Sequence, residues 1–219
     1  TRVISDKALT KFEMGLPEDS FVFCCFNNSY KITPAEFDIW MRLLGKVDKS
    51  VLWLLSCNKW AEKNLKEAAS IRGISSDRIV FAQKLPQADH LARLKLADLF
   101  LDTFNYNAGA TATDALWSGL PLITKMGQGY TARMAGSILS SVGLSELVVT
   151  TEAQYEELAW RLATTPGNLV QIRKKLAANR LTTPLFDTAL FTRHLENGYR
   201  QAYELYFEGQ SPDHVYVPV

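Results

Sequence analysis

Short apolar runs alternate along the chain with segments whose apolar residues recur at helical spacing. The uncharged run FVFCCF at 21–26 is typical of a strand buried on both faces of a sheet. Further short apolar runs predict more strands, at 51–56, 78–83, about 97–103, 120–125 and 146–150. The pattern therefore indicates five or six strands, most of them followed by a helical segment.

The segments between these strands carry helix signals. Pro34 stands where a helix begins, and Gly73 stands where another ends. Helices are predicted at 34–47, 59–73, about 88–96, 111–119 and about 131–142, with three more at roughly 152–165, 167–181 and 188–206. Alternating strands and helices predict an α/β fold, a Rossmann-like doubly wound parallel sheet with extra C-terminal helices. We expect one domain over 1–219.

Composition excludes several classes of partner. The 24 basic and 23 acidic residues give a net charge of +1, so no bulk attraction to nucleic acid or to a membrane surface is expected. No apolar run is long enough to predict a membrane span. Three cysteines are poor material for a disulfide framework, which favours a reducing, cytoplasmic location. The chain begins without Met, and we expect it to be part of a longer protein.

Ligands of open α/β sheets bind beyond the carboxyl ends of the strands, and the loop after the first strand is chemically suited to an anion. It offers the short polar side chains of Asn27, Asn28 and Ser29, followed by the charge of Lys31. Lysine is a good point charge for phosphate. The alternative is an ordinary polar turn with a solvated lysine.

A second candidate lies in NAGATATDALWSGLP at 107–121. Small residues at Gly109, Ala110 and Thr111 would leave backbone N–H groups free at a helix start, which favours phosphate. Asp114, expected in the first turn, is suited to a sugar hydroxyl, as acidic residues are in dinucleotide-binding folds. The alternative is an ordinary capped helix whose small residues permit close packing.

Other chemistry has little support in the sequence. Zinc motifs, Asp-x-Asp pairs and nucleophile elbows are absent. His90 and Arg93 share one face of a predicted helix, where a lone histidine is more often structural than catalytic.

Several blocks of the sequence, in order, resemble the protein O-GlcNAc transferases, the family 41 glycosyltransferases that include the SPINDLY-like proteins. The blocks are LPEDSFVFCCFNNSYKI, SVLWLL, LPQADHLAR, LADLFLDTFNYNAGATATDALWSGLPLIT and TTPLFDTALF. The similarity runs from about Gly15 to Tyr206, nearly the whole chain.

The resemblance implies the C-terminal, donor-binding half of a GT-B enzyme that binds a uridine or guanosine diphosphate sugar without a metal, and UDP-GlcNAc is the donor that we expect. It implies that Lys31 is catalytic and neutralises the leaving diphosphate, supported by Asn28. The backbone at 109–111 would cradle the phosphates and Asp114 would hold the ribose. The same resemblance places Gln87, His90 and Arg93 near the nucleotide.

The chain departs from the family pattern at three positions. Gly109 and Ala110 stand where the family usually has His and Thr, so side-chain contacts are lost while backbone donors remain. Gln87 stands where the animal enzymes have Lys, which removes one positive charge.

Three functions remain open at this point. The first is a metal-independent, inverting transfer of a sugar, GlcNAc by resemblance, to Ser or Thr of acceptor proteins. The second is a non-catalytic nucleotide-sugar-binding or protein-interaction module, and the third is another GT-B sugar-nucleotide enzyme such as an epimerase. The first implies an N-terminal GT-B half and a tetratricopeptide region elsewhere in the same chain. We expect the isolated 219 residues to bind nucleotide weakly and to transfer nothing.

Overall fold

The computed structural model, which describes residues 2–217, contains one six-stranded parallel sheet in the order β3-β2-β1-β4-β5-β6. The strands are β1 Phe21–Cys25, β2 Ser50–Leu55, β3 Ile79–Ala82, β4 Leu99–Leu101, β5 Leu122–Lys125 and β6 Val148–Val149. This strand order confirms the predicted Rossmann-like doubly wound fold. β2 and β3 lie on one side of β1, and β4, β5 and β6 lie on the other side. A crevice therefore forms between the loops that follow β1 and β4.

Eight α-helices connect and cover the strands within residues 2–217. They are α1 Pro34–Lys46, α2 Lys59–Ile71, α3 Gln87–Arg93, α4 Ala110–Trp117, α5 Met134–Ser141, α6 Glu152–Thr164, α7 Pro166–Asn179 and α8 Thr188–Phe207. Local sequence explains where several of them begin. Thr33, which precedes Pro34, forms a capping box with Glu36 of the first turn, and the Asn58 side chain accepts hydrogen bonds from Trp60 N and Ala61 N.

The central strands are buried on both faces because helices lie on each side of the sheet. Cys24 stands beside Trp53 on one neighbouring strand and beside Phe100 on the other, and all three side chains are buried. On one face α1 packs against α6, where the Trp40 indole Nε1 donates to the Tyr155 hydroxyl at 3.4 Å. The apolar runs of the sequence therefore correspond to the strands of this core.

The last helix differs from the others, because none of the side chains of α8 is buried. The predicted single-domain range of 1–219 includes residues 1, 218 and 219, which lie outside the described residues. Within 2–217, no helix combines the length and the apolar character needed to cross a membrane.

Candidate functional site

Lys31 lies in the crevice after β1, on a short 3₁₀ helix at Ser29–Lys31. Its ammonium Nζ donates to the Asn107 carbonyl at 3.2 Å and lies 3.7 Å from the centroid of the Tyr106 ring. In the described part of the chain, none of the ion pairs involves Lys31. Partial burial lowers the pKa of Lys31, and the nearby charge of Asp102 partly offsets this effect. The structure thus holds a positive charge here that forms no ion pair within residues 2–217.

Asp102, directly after β4, organises the loop that faces Lys31. Its side chain is fully buried, and its Oδ1 accepts from Asn27 Nδ2 at 3.1 Å, Thr103 N at 2.9 Å and Ala108 N at 2.7 Å. Its Oδ2 accepts from Thr124 Oγ1 at 2.7 Å. Burial raises the pKa of Asp102 to about 6, against the opposing effect of these hydrogen bonds. One carboxyl group thereby connects β1, β4, β5 and the start of α4.

Asn27 carries this connection to α4. Its Nδ2 also donates to Thr103 Oγ1 at 2.8 Å, and its Oδ1 accepts from Thr111 Oγ1 at 2.7 Å. The Asn27 side chain is buried, so its hydrogen-bonding groups are satisfied by protein rather than by solvent. Thr111 therefore uses its hydroxyl to fix the first turn of α4 against β1, and its backbone N–H is what remains for a ligand.

The N-terminus of α4 is open. Gly109 is the N-cap residue and no side chain caps the helix, so the N–H groups of the first turn lack intrahelical partners. Ala110 is exposed, and Gly109 and Thr111 are partly exposed. A Cβ at Gly109 would lie 2.6 Å from the Met134 Sδ. Met134 of α5 therefore occupies the space that a larger side chain at this position would need.

Asp114 is the fifth residue of α4, and no acidic residue lies in the first turn. The expectation that Asp114 occupies the first turn was wrong, because the helix begins one residue earlier than the threonine pattern suggested. Its carboxylate accepts from Gln87 Nε2 at 3.2 Å and forms an ion pair with Arg2. The Asp114 side chain is only 12% exposed, so its carboxylate already has partners before any ligand binds.

His90 and Arg93 lie together on α3, as their spacing predicted. Arg93 is only 1% exposed; it donates to His90 Nδ1 at 3.1 Å and to the Gln83 carbonyl. Its guanidinium also lies over Phe26, 5.1 Å from the ring centroid. Burial, with a contribution from Arg93, lowers the pKa of His90. The buried Arg93 guanidinium can therefore orient His90, and its expected position near a nucleotide stays a prediction.

The predicted residues form two groups joined by α4. Lys31, Gly109, Ala110 and Thr111 lie around the loop after β4, and Gln87 with His90 lies near Asp114. Asn28 is exposed; its carbonyl accepts from Lys31 N at 3.0 Å, and its side-chain Oδ1 accepts from Cys57 Sγ at 3.9 Å.

Sequence reasoning missed four contributors to this arrangement, namely Asp102, Tyr106, Asn107 and Met134. Asp102 carried a signal, because a carboxylate that ends an apolar strand has to be buried or to face the site. The other three had none, because their contacts depend on loop geometry and on a helix elsewhere in the sequence.

No cluster of three or more His, Cys, Asp or Glu side chains that could hold a metal ion occurs among residues 2–217.

Comparison with known proteins agrees with this architecture. The model of glycosyl transferase family 41 matches residues 3–195. A probable UDP-N-acetylglucosamine–peptide N-acetylglucosaminyltransferase of Arabidopsis thaliana is 38% identical over 94% of this chain. The chain spans about a fifth of the length of the curated relatives that it matches, 21% in this case and 18% in a Caenorhabditis elegans relative.

Two solved structures are similar to this chain in fold. A mutant O-GlcNAc transferase of Thermobaculum terrenum superposes with a TM-score of 0.78 at 29% identity, covering 86% of this chain and 39% of that one. A UDP-N-acetylglucosamine 2-epimerase superposes with a TM-score of 0.55 at 15% identity, covering 97% of this chain and 50% of that one. The second likeness shows the fold alone.

Strand order and the crevice at β1 and β4 place the chain among the Rossmann-like α/β proteins. Within that class, it belongs to glycosyl transferase family 41.

Proposed function

We propose that this chain is the donor-binding half of a protein glycosyltransferase that transfers GlcNAc from UDP-GlcNAc to serine or threonine hydroxyls. The observation that carries the proposal is the ammonium of Lys31, which forms no ion pair within residues 2–217 and is held by the Asn107 carbonyl beside the open N-terminus of α4. A lysine charge and free backbone N–H groups together suit a diphosphate. The relatives' names supply the donor and the acceptor class.

In the proposed reaction, the acceptor hydroxyl oxygen bonds to the anomeric carbon as the bond from that carbon to the diphosphate oxygen breaks, and the hydroxyl proton is released to water. The leaving UDP takes the bonding electron pair, so negative charge grows on its phosphate oxygens. Lys31 and the N–H groups of 109–111 would stabilise that charge more strongly as it develops than in the bound donor, which is what raises the rate. The displacement inverts the anomeric centre and needs no metal, since Lys31 and the helix N-terminus take the metal's role.

Asp114 is assigned to the ribose hydroxyls. Its carboxylate accepts hydrogen bonds from Gln87 and Arg2, and its remaining lone pairs can accept from a diol. Gln87 is assigned to the nucleotide site because it donates a hydrogen bond to Asp114. Asn28 is assigned to the side of the site where the phosphates bind. His90, with a lowered pKa, is neutral at pH 7; because Arg93 donates to its Nδ1, its proton is on Nε2.

The remaining parts of such an enzyme belong to the rest of the polypeptide. We propose that an N-terminal GT-B half closes the crevice and presents the acceptor protein, with a tetratricopeptide region that selects it. An intracellular location is proposed from the three cysteines of the chain, which are poor material for disulfide bonds.

Product analysis of the full-length protein with UDP-GlcNAc and a serine-containing acceptor peptide tests the proposal. We expect glycosylated peptide and UDP in equal amounts, unaffected by a chelator. Lys31→Ala is expected to lower kcat by about 10²- to 10³-fold, as for loss of one group that stabilises transition-state charge. Lys95→Ala, a change of an exposed lysine on another part of the fold, is the matched control.

The same assay separates the alternatives. An epimerase would convert UDP-GlcNAc into a second UDP-sugar without an acceptor. A non-catalytic module would bind the donor and leave it intact. Either product pattern would contradict the proposed transfer.

A further inference from the structure

The aromatic ring of Tyr106 contacts the ammonium of Lys31 from the loop after β4. The Nζ lies 3.7 Å from the ring centroid, well within the range of a cation–π interaction. Tyr106 is 41% exposed, so the ring borders the open crevice and is not part of the core. The contact is therefore part of the site's surface.

The geometry leaves Lys31 able to bind an anion. An ammonium has three N–H donors. One is directed to the Asn107 carbonyl at 3.2 Å and another faces the Tyr106 ring. A third donor remains. An aromatic ring attracts a cation through its quadrupole and carries no net charge, whereas a carboxylate in the same place would cancel the charge that a diphosphate needs.

The backbone that carries Tyr106 is held firmly. The Tyr106 carbonyl accepts from Thr103 Oγ1 at 2.6 Å, and Asn107 Nδ2 donates to the Thr103 carbonyl at 2.7 Å. The N–H of Thr103 is bound in turn by the buried Asp102 carboxyl group at 2.9 Å. The ring therefore projects from a fixed loop, while the lysine side chain is long and flexible. Fixing the end of such a side chain before a ligand arrives reduces the entropy lost on binding.

We propose that Tyr106 is a positioning residue that holds the Lys31 ammonium beside the N-terminus of α4, where the diphosphate of the donor binds. The inference rests on the proposed function, since it specifies how the cation of that site is placed. Tyr106 acts through its ring face; the phenolic hydroxyl has no part in it.

Three variants of the full-length protein isolate the ring. Tyr106→Leu removes the aromatic face, Tyr106→Phe keeps it without the hydroxyl, and Tyr199→Leu changes an exposed tyrosine on α8. Each is titrated calorimetrically with UDP and with uridine. A positioning role for the lysine affects only the ligand that carries the diphosphate, whereas general damage to the site affects both.

We expect Tyr106→Leu to weaken UDP binding by about three- to tenfold, the range of a partly desolvated cation–π contact, with uridine binding unchanged. Tyr106→Phe and Tyr199→Leu should bind UDP as the wild type does. In a Lys31→Ala background, Tyr106→Leu should have no further effect on UDP, because the pair is already broken.

Each contrary result has a distinct meaning. Wild-type UDP affinity in Tyr106→Leu, an equal loss for uridine, or the same loss in the Lys31→Ala background overturns the role of Tyr106. If Lys31→Ala itself binds UDP as well as the wild type does, the proposed function fails first and the inference fails with it.

Discussion

Asn27 at the end of β1 donates its side-chain N–H to the carboxyl group of Asp102 at the end of β4, at 3.1 Å, and both side chains are buried. These residues are 75 positions apart in the chain. Their bond joins the loop that carries Lys31 to the loop that carries the Asn107 carbonyl and the start of α4. The two halves of the candidate site are thus held in register from beneath, by groups that a ligand does not reach.

The raised pKa of Asp102 predicts a specific dependence of stability on pH. The folded state keeps the proton up to a pKa of about 6, against an ordinary value of 3.8. The stabilising contribution of the protonated group is therefore complete below the lower value and is lost as the pH rises through about 6. The difference of roughly two pKa units corresponds to a free energy on the order of 3 kcal/mol.

Asp102→Asn is the matched variant for this prediction. The amide keeps Oδ1 for the three donors that bind it, and Nδ2 can donate to the Thr124 hydroxyl. Urea denaturation between pH 4 and 7 should show that wild-type stability falls relative to Asp102→Asn as the pH rises through about 6. A constant difference between the two proteins would show that Asp102 does not titrate in this range.

Thr111→Val is expected to destabilise the fold by about 1–3 kcal/mol, the cost of leaving a buried polar atom without a partner. The variant removes the hydroxyl that donates to Asn27 Oδ1 at 2.7 Å and keeps the side-chain shape. Thr111→Ser retains the hydroxyl and should retain most of the stability. Chemical denaturation of the three proteins checks this, and equal losses in Val and Ser variants would argue against the hydrogen bond.

Gly109 and Met134 are expected to be coupled. Gly109→Ala places a Cβ 2.6 Å from the Met134 Sδ, so the flexible Met134 side chain must leave its present rotamer, at a cost of about 0.5–1.5 kcal/mol. Met134→Ala removes the obstacle, and the double variant should be more stable than the sum of the two single losses predicts. A double-mutant cycle in denaturant measures the coupling. Strictly additive losses would show that Met134 does not restrict the side chain at position 109.

Arg93 is expected to control the protonation of His90. The pKa of His90 lies below its ordinary value of 6.5 because of burial and the adjacent guanidinium. Arg93→Met removes that positive charge, so the pKa of His90 should rise. Titration of the histidine ring signals by NMR measures the shift, and an unchanged or lower pKa would show that Arg93 has no electrostatic effect on His90.

The sheet could be predicted from sequence because each strand of a doubly wound parallel sheet is buried and reads as an apolar run, as Phe21–Cys25 does. The loops after the strands could be selected as the site because a parallel sheet places the carboxyl ends of all its strands at one edge. Pairings such as Asn27 with Asp102 could not, because they join residues distant in sequence through side-chain geometry. The burial of Arg93 was also missed, since charged residues are usually exposed, whereas this one is accommodated by the Gln83 carbonyl, His90 and the Phe26 ring.

The measurement that tests the central claim most directly is titration of UDP into the full-length protein and into its Lys31→Ala and Asp114→Ala variants. If the crevice between β1 and β4 is the donor site, each variant should lose about 1–3 kcal/mol of binding free energy, as expected for loss of a charged hydrogen bond. Uridine binding should depend on Asp114 and be indifferent to Lys31. UDP affinity that is unchanged in both variants would contradict the account and would place the nucleotide elsewhere.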